Sequence, residues 1–130
     1  GIAWSMLEKD PLMMISSNDG RGRKKLENII CKREWPEVVG HLINPVFEHF
    51  CADEWVERIA TAAGKITYAT NIVVEHMHPK FGKGKWDEIY LVKRQGGGND
   101  RDRARLAAMD DDILKAAARI VMAGSRHALA

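Results

Sequence analysis

A short apolar run near the middle of the chain ends abruptly in a carboxylate and two imidazoles. Residues 72–75 read Ile-Val-Val-Glu, and His-Met-His-Pro follows directly. Because side chains alternate across the faces of a strand, a strand here would point His76 and His78 to the same side. Two neutral imidazoles on one face can bind a divalent metal or exchange protons near neutral pH. With the Lys/Gly-rich segment 80–85 behind it, the run predicts one edge of an active site. A solvated strand end is the alternative interpretation.

The composition fits one domain of ordinary make-up. Of the 130 residues, 45% are hydrophobic and 29% are charged, and the formal net charge is +2. That charge is too small to indicate nucleic acid binding. No run approaches the ~20 apolar residues that a membrane span needs, and no signal-peptide pattern is present.

The two cysteines, Cys31 and Cys51, lack the Cys-x-x-Cys spacing of many zinc sites. Solitary thiols are typical of proteins in a reducing compartment, so we expect a cytoplasmic location. The chain begins at Gly1 without a methionine, which is typical of a processed protein or of a fragment.

Hydrophobic periodicity predicts an α/β domain, with a mixed sheet flanked by helices. Residues 12–15 predict a strand, residues 16–20 a loop, and residues 23–32 an amphipathic helix that Trp35-Pro36 should end.

The middle of the chain predicts one helix, two strands and a second helix. Asp53 is a natural N-cap or first-turn acid of the first helix, and Gly64 is its stop. Two short strands follow at 65–69 and 72–75, and a helix is predicted at 86–94. The apolar face of the first helix carries Trp55, Val56, Ile59, Ala60 and Ala63.

The end of the chain predicts a glycine-rich linker at 96–102, a single long helix at 103–123 and a frayed tail at 124–130. We therefore divide the chain into a domain at 1–95, the linker, and a C-terminal helix with its tail at 103–130. An apolar stripe on that helix is wide enough to dock on the body of the protein; it consists of Leu106, Met109, Ile113, Ala117 and Ile120.

Five stretches of the middle region form an ordered series. They are Cys-Ala-Asp-Glu-Trp at 51–55, Ala-Ala-Gly-Lys-Ile-Thr-Tyr at 62–68, the run at 72–79, Gly-Lys at 82–83 and Trp-Asp-Glu-Ile-Tyr at 86–90. This series resembles the C-terminal half of family-2-like glycosyltransferases of the GT-A fold, especially the short versions carried by bacteriophages. The resemblance covers about residues 12–94. It implies the acceptor-side half of a nucleotide-diphospho-sugar transferase, in the host cytoplasm if the chain is phage-encoded.

The resemblance also implies roles for individual residues. Asp53 looks like the acid that serves inverting members as general base toward an acceptor hydroxyl, and Glu54 is the neighbouring candidate. His76 looks like the histidine that completes the coordination of Mn²⁺ or Mg²⁺ on the donor diphosphate. His78 would be an alternative or outer ligand.

The donor would meet three further side chains, Asp19, Lys83 and Lys85. Asp19 would line the cleft, and the two lysines could contact the diphosphate. The alternative for the lysines is a solvated surface.

One half of such an enzyme is missing from the sequence. GT-A enzymes bind the nucleotide through an N-terminal βαβ half that ends in an Asp-x-Asp metal motif. The acidic triplet at 110–112 is similar, but it lies at the front of a predicted helix, where acids favour the helix dipole. The resemblance therefore implies sugar transfer to a hydroxyl acceptor only together with the missing half or with a partner chain.

Two other functions stay open. A non-catalytic structural or interaction protein would dock a partner through the C-terminal helix and would leave its apolar stripe exposed in the monomer. A small metal-dependent hydrolase or nuclease would use His76, His78 and Asp87. The glycosyltransferase hypothesis instead predicts that Asp53 and His76 face each other across one open cleft.

Overall fold

Short helices and strands alternate along most of the chain, and two helices complete it. The computed structural model describes residues 1–129, with all of their side chains except those of Phe81, Tyr90, Lys93, Arg94 and Leu129. Along these residues lie α1 (Ile2–Lys9), β1 (Met14–Asn18), β2 (Ile29–Ile30), α2 (Glu34–Val39), α3 (Ala52–Ala62), β3 (Ile66–Val73), a 3₁₀ turn (Pro79–Phe81), α4 (Glu88–Gln95), α5 (Gly98–Ala107) and α6 (Asp110–Leu129).

The strands form one mixed sheet in the order β2–β1–β3. β1 pairs antiparallel with β2, where Ile15 faces Ile30, and parallel with β3, where Met14 faces Ile66. Because a tight turn at Gly64 joins α3 directly to β3, α3 runs opposite to both parallel strands. α3 therefore begins toward the edge of the sheet at which β1 and β3 end, and Glu57 in the middle of α3 contacts the hydroxyl of Tyr68 in β3 at 3.2 Å. At this coarse level the predicted class, a mixed sheet flanked by helices, is confirmed.

Successive side chains of β1 enter two different cores. Met14 belongs to the larger core, together with Ile59 of α3 and Ile120 of α6. Ile15 points to the other face of the sheet and packs with Leu7 of α1. This alternation explains why β1 is buried on both sides, as a central strand must be. None of the helices in residues 1–129 is long and apolar enough to cross a membrane.

The apolar stripe of the C-terminal region packs on the body of the protein, as predicted. Leu106, Ile113, Ala117 and Ile120 are buried in the larger core, and Met109 packs against it. α6 contacts both α2 and α3. The interaction-protein hypothesis predicted that this stripe is exposed in the monomer, and that prediction is wrong.

Two local predictions in the first part of the chain are wrong. Residues 23–32 form a loop and β2 instead of a helix, because Leu26 is buried and donates its N–H to Glu57 while β2 pairs with β1. Pro36 lies in the first turn of α2 instead of ending a helix, because the N–H that proline lacks is unsatisfied there in any residue. The predicted loop at 16–20 begins later, since β1 extends through Asn18.

The helices and strands after α3 differ from the predictions in their limits. The segment predicted as a linker is helical from Gly98 onward, and the single predicted helix is divided into α5 and α6 at Ala108 and Met109. α6 continues through Leu129, where a frayed tail was expected. The helix expected at 86–94 exists as α4, and β3 is one continuous strand in place of the two predicted ones.

Candidate functional site

Asp19 follows the last residue of β1 and is almost completely buried, with 4% of its surface exposed. Its carboxylate accepts hydrogen bonds from the backbone N–H of Arg21 at 2.9 Å and from the Nε of Arg21 at 2.6 Å. Burial alone would raise the pKa of Asp19, but the hydrogen bonds and the charge of Arg21 outweigh it and hold the pKa at about 2. Asp19 is therefore ionised at any physiological pH.

A second carboxylate, Glu27, shares two arginines with Asp19. The guanidinium of Arg21 lies 2.5 Å from Oε2 of Glu27. The guanidinium of Arg23 also contacts Glu27, and it lies 3.4 Å from Oδ2 of Asp19. The side chains of Arg21 and Arg23 thus take part in a network of ion pairs within the protein. We call the group Asp19, Arg21, Arg23 and Glu27 the carboxylate–arginine cluster.

The backbone after β3 holds His76 against this cluster. Beyond the last strand residue the parallel pairing continues, because Val74 donates its N–H to Asn18 at 2.8 Å and His76 donates its N–H to Asp19 at 3.2 Å. The Nδ1 atom of His76 lies 3.4 Å from an oxygen of Glu27, and its side chain is 39% exposed. His76 thus contacts the carboxylate–arginine cluster and is also partly exposed to solvent.

His78 lies beside His76 but is engaged differently. The two rings meet edge to face with centroids 5.5 Å apart, and the ring of Trp86 is 5.9 Å from that of His78. The Nδ1 of His78 accepts the backbone N–H of Lys80 at 3.0 Å, so a neutral ring carries its hydrogen on Nε2. Burial, together with the charges of His76, Lys80 and Arg21, lowers the pKa of His78. In this arrangement neither ring nitrogen of His78 offers a free lone pair to a metal.

The Lys/Gly-rich loop folds back on the same region. Lys83 pairs with Glu75. A Cβ atom at Gly84 would lie only 2.6 Å from the carbonyl oxygen of Met77, so glycine is required for this close approach. Lys85 is exposed. The loop therefore folds back over the end of β3, with Lys83 paired to Glu75 and Lys85 exposed to solvent.

The first turn of α3 contains two acids. The N-cap is Cys51, so Asp53 lies inside the first turn, where its Oδ1 accepts the N–H of Glu54 at 2.9 Å. Glu54 pairs with Arg58 at 3.0 Å and with Arg103 at 3.5 Å. None of the described contacts joins these acids to the carboxylate–arginine cluster or to the two histidines.

A buried acid on α5 fixes the segment that leads into α3. Asp102 is fully buried and accepts the backbone N–H groups of Glu48, His49 and Phe50 at 3.0, 3.0 and 2.8 Å. Burial opposes ionisation, but these bonds and one from Arg105 hold the pKa of Asp102 far below its ordinary value. A shallow open cavity of about 200 Å³ lies beside this segment, and Glu48, His49, Phe50 and Arg101 are among its lining residues.

A divalent cation does not fit the described residues by themselves. No group of three or more His, Cys, Asp or Glu side chains able to hold a metal exists among residues 1–129 as far as their side chains are described. His76 is the one expected ligand with an accessible ring, and arginines already occupy the carboxylates nearest to it. The described side chains by themselves form no complete metal site here, so we derive no catalytic step through a metal.

The structure thus brings together Asp19, His76 and His78, with Lys83 close by through Glu75. Arg21, Arg23 and Glu27 belong to the same site but were not expected there. Their signal in the sequence is the Asn-Asp-Gly turn that directly follows a buried strand, since such a turn folds the next residues back over the strand end. The hydrophobic periodicity of residues 23–32 indicated a helix instead, and for this reason the contacts of Arg23 and Glu27 were not predicted.

Neither the protein-family models nor the curated proteins nor the solved structures contain a match to this chain.

Proposed function

We propose that this chain is the acceptor-side half of a glycosyltransferase of the GT-A type, which moves a sugar from a nucleotide-sugar donor to a hydroxyl acceptor. The observation that carries the proposal is the position of the histidines at the carboxyl end of the parallel strands. His76 and His78 follow β3 and lie beside the end of β1, at the edge where open α/β sheets bind their ligands, and α3 begins toward the same edge. The order of motifs from residue 51 to residue 90 supports the same assignment.

In this proposal Asp53 is the general base. A half-buried carboxylate at a helix start can take a proton from an acceptor hydroxyl. Glu54 serves a different purpose, because its pair with Arg103 ties α3 to α5 while its pair with Arg58 lies within α3. The cavity beside residues 48–50 lies next to the start of α3 and is the natural place for the acceptor.

The donor diphosphate would lie against the other side of the edge. Arg23 and Lys83 are each partly exposed and carry charges that suit phosphate oxygens. Asp19 is saturated by Arg21, so it positions that arginine and does not contact the donor. His76 would give one ligand to a Mn²⁺ or Mg²⁺ ion that the donor diphosphate carries.

Calorimetry with Mn²⁺ and a panel of nucleoside diphosphates tests the proposal. We expect binding that requires both components in the wild type and that is lost in His76→Ala. The matched control is His41→Ala, since His41 is an exposed imidazole in the loop after α2. The absence of heat with every combination, or equal binding in both variants, would contradict the proposal.

A further inference from the structure

α4 presents apolar side chains to solvent and buries none of the side chains that the structure describes for it. Ile89 and Val92 are 65% and 64% exposed, and Leu91 is 45% exposed. An isolated helix shorter than about 12–15 residues is only marginally stable in water, and packing of an apolar face supplies most of the stability of helices in proteins. Because α4 has only eight residues, we expect a partner to cover its apolar side chains.

The loop before α4 adds an aromatic ring and two lysines next to the helix. Trp86 lies two residues before α4 and is 43% exposed, and its ring is 5.9 Å from that of His78. Lys80 and Lys85 are exposed. Lys85 directly precedes Trp86, and the backbone N–H of Lys80 donates to His78 at 3.0 Å, so both lysines lie in the region of the tryptophan. We call the following residues the α4 surface: Lys80, Lys85, Trp86, Ile89 and Val92.

The positive charge of the chain is concentrated in the same region. The whole chain has 20 basic and 18 acidic residues, and residues 75–95 contain five of the basic residues and three of the acidic ones. The rest of the chain is therefore neutral overall. Glu75 pairs with Lys83, so the other four basic residues of this segment outnumber Asp87 and Glu88. The region that exposes the apolar side chains of α4 is thus also the positively charged region of the chain.

We propose that the α4 surface binds the surface of a lipid bilayer that contains anionic lipids. A helix that lies in a membrane interface combines an apolar side that enters the acyl boundary, aromatic residues near the headgroups and lysines that meet anionic headgroups. Ile89 and Val92 are three residues apart and therefore share one side of α4. This side enters the bilayer, and Trp86 lies at the level of the headgroups. The helix extends about 12 Å, so it lies on the bilayer and does not cross it.

The aliphatic side chains are the reason for a bilayer and against another anionic partner. Nucleic acid offers phosphates and bases to lysines and aromatic rings, but it has no surface into which Ile89 and Val92 could be transferred from water. A bilayer with anionic lipids provides both the charge and the apolar layer. An exposed apolar patch with a basic border fits that combination. An acidic protein is the remaining alternative, and the experiments below distinguish it.

Co-sedimentation with lipid vesicles tests the contribution of charge. We expect the chain to bind vesicles of phosphatidylcholine with about 30% phosphatidylserine at least about tenfold more tightly than vesicles of phosphatidylcholine alone, and added salt should weaken this binding. Lys80→Gln and Lys85→Gln should each weaken it about fivefold, because each removes one attraction to the anionic lipids. Lys115→Gln is the matched control, since it removes the same charge from an exposed position on α6.

A charge within the apolar side tests the contribution of α4 itself. Ile89→Glu should weaken binding to the anionic vesicles about tenfold or more, because the glutamate must be desolvated and is repelled by the lipids. Ile43→Glu is the matched control, since Ile43 is an exposed apolar residue in the loop after α2. Circular dichroism of each variant verifies that the protein remains folded.

Tryptophan emission identifies the surface that touches the bilayer. Trp35 and Trp55 are buried, whereas Trp4 and Trp86 are exposed, so a shift to shorter wavelength on adding anionic vesicles reports on the two exposed rings. Trp86→Phe should remove most of the shift, and Trp4→Phe should retain it. A chain that binds neither kind of vesicle would overturn the proposal and leave a protein as the partner of α4. Equal binding to both kinds of vesicle, equal binding of Ile89→Glu and Ile43→Glu, or a shift that depends on Trp4 would overturn it as well.

Discussion

At the scale of single residues, two buried carboxylates determine the shape of the site. Asp19 organises Arg21 after β1, and Asp102 organises the three residues before α3. Each is ionised in a nearly water-free position, which is tolerable only because backbone N–H groups and arginines surround it. Neither acid was expected to have this role, because a sequence does not show which distant backbone groups an acid will meet.

Replacing Asp102 by asparagine should destabilise the protein by about 3 kcal/mol, since the amide offers one acceptor to several converging donors. Urea unfolding followed by circular dichroism measures the loss. Asp100→Asn changes an exposed acid of the same helix and should leave the unfolding midpoint nearly unchanged. Equal effects of the two substitutions would contradict the structural role of Asp102.

The pKa of Asp19 predicts a particular acid sensitivity. Because the pKa falls from 3.8 to about 2 on folding, its contribution is present above pH 3.8 and is lost as the pH falls toward 2. That contribution is about 2 kcal/mol at neutral pH. Asp19→Asn should therefore lower stability at pH 7 and flatten its decline between pH 5 and pH 2, as measured by urea unfolding at a series of pH values. An unchanged slope would show that Asp19 is not held ionised by its neighbours.

At the scale of elements, local patterns predicted α3 and the docked face of α6 because amphipathic periodicity survives in both. The same periodicity gave a wrong prediction of a helix at 23–32, because β2 pairs with β1 there and Leu26 donates its N–H to Glu57. Local sequence patterns do not predict which distant segments of the chain will pair. The carboxylate–arginine cluster depends on that pairing, so of its four members only Asp19 could be named beforehand.

The docked face of α6 should contribute much of the stability of the larger core. Ile120 is fully buried there, so Ile120→Ala is expected to cost about 3 kcal/mol through lost contacts and a residual cavity. Ile89→Ala is the control, because Ile89 on α4 is 65% exposed and its truncation should change stability by less than about 0.5 kcal/mol. Thermal unfolding of both variants decides the matter, and similar melting temperatures would contradict the packing of α6.

At the scale of the whole molecule, one edge of a small sheet collects side chains from three segments. These are the end of β1, the loop before β2 and the segment after β3. The topology explains the convergence, since parallel strands end at the same edge of a sheet, and α3, which runs opposite to β3, begins toward that edge.

The central claim is that the start of α3 and the end of β3 border one binding site. Titration of Mn²⁺ with a nucleoside diphosphate into ¹⁵N-labelled protein tests it directly, because the paramagnetic ion broadens the amide signals of nearby residues. We predict that the signals of Asp19, Asp53 and His76 broaden together while that of Ser125 stays sharp. Broadening confined to the start of α3 or to the segment after β3, or broadening spread evenly over the chain, would contradict the claim.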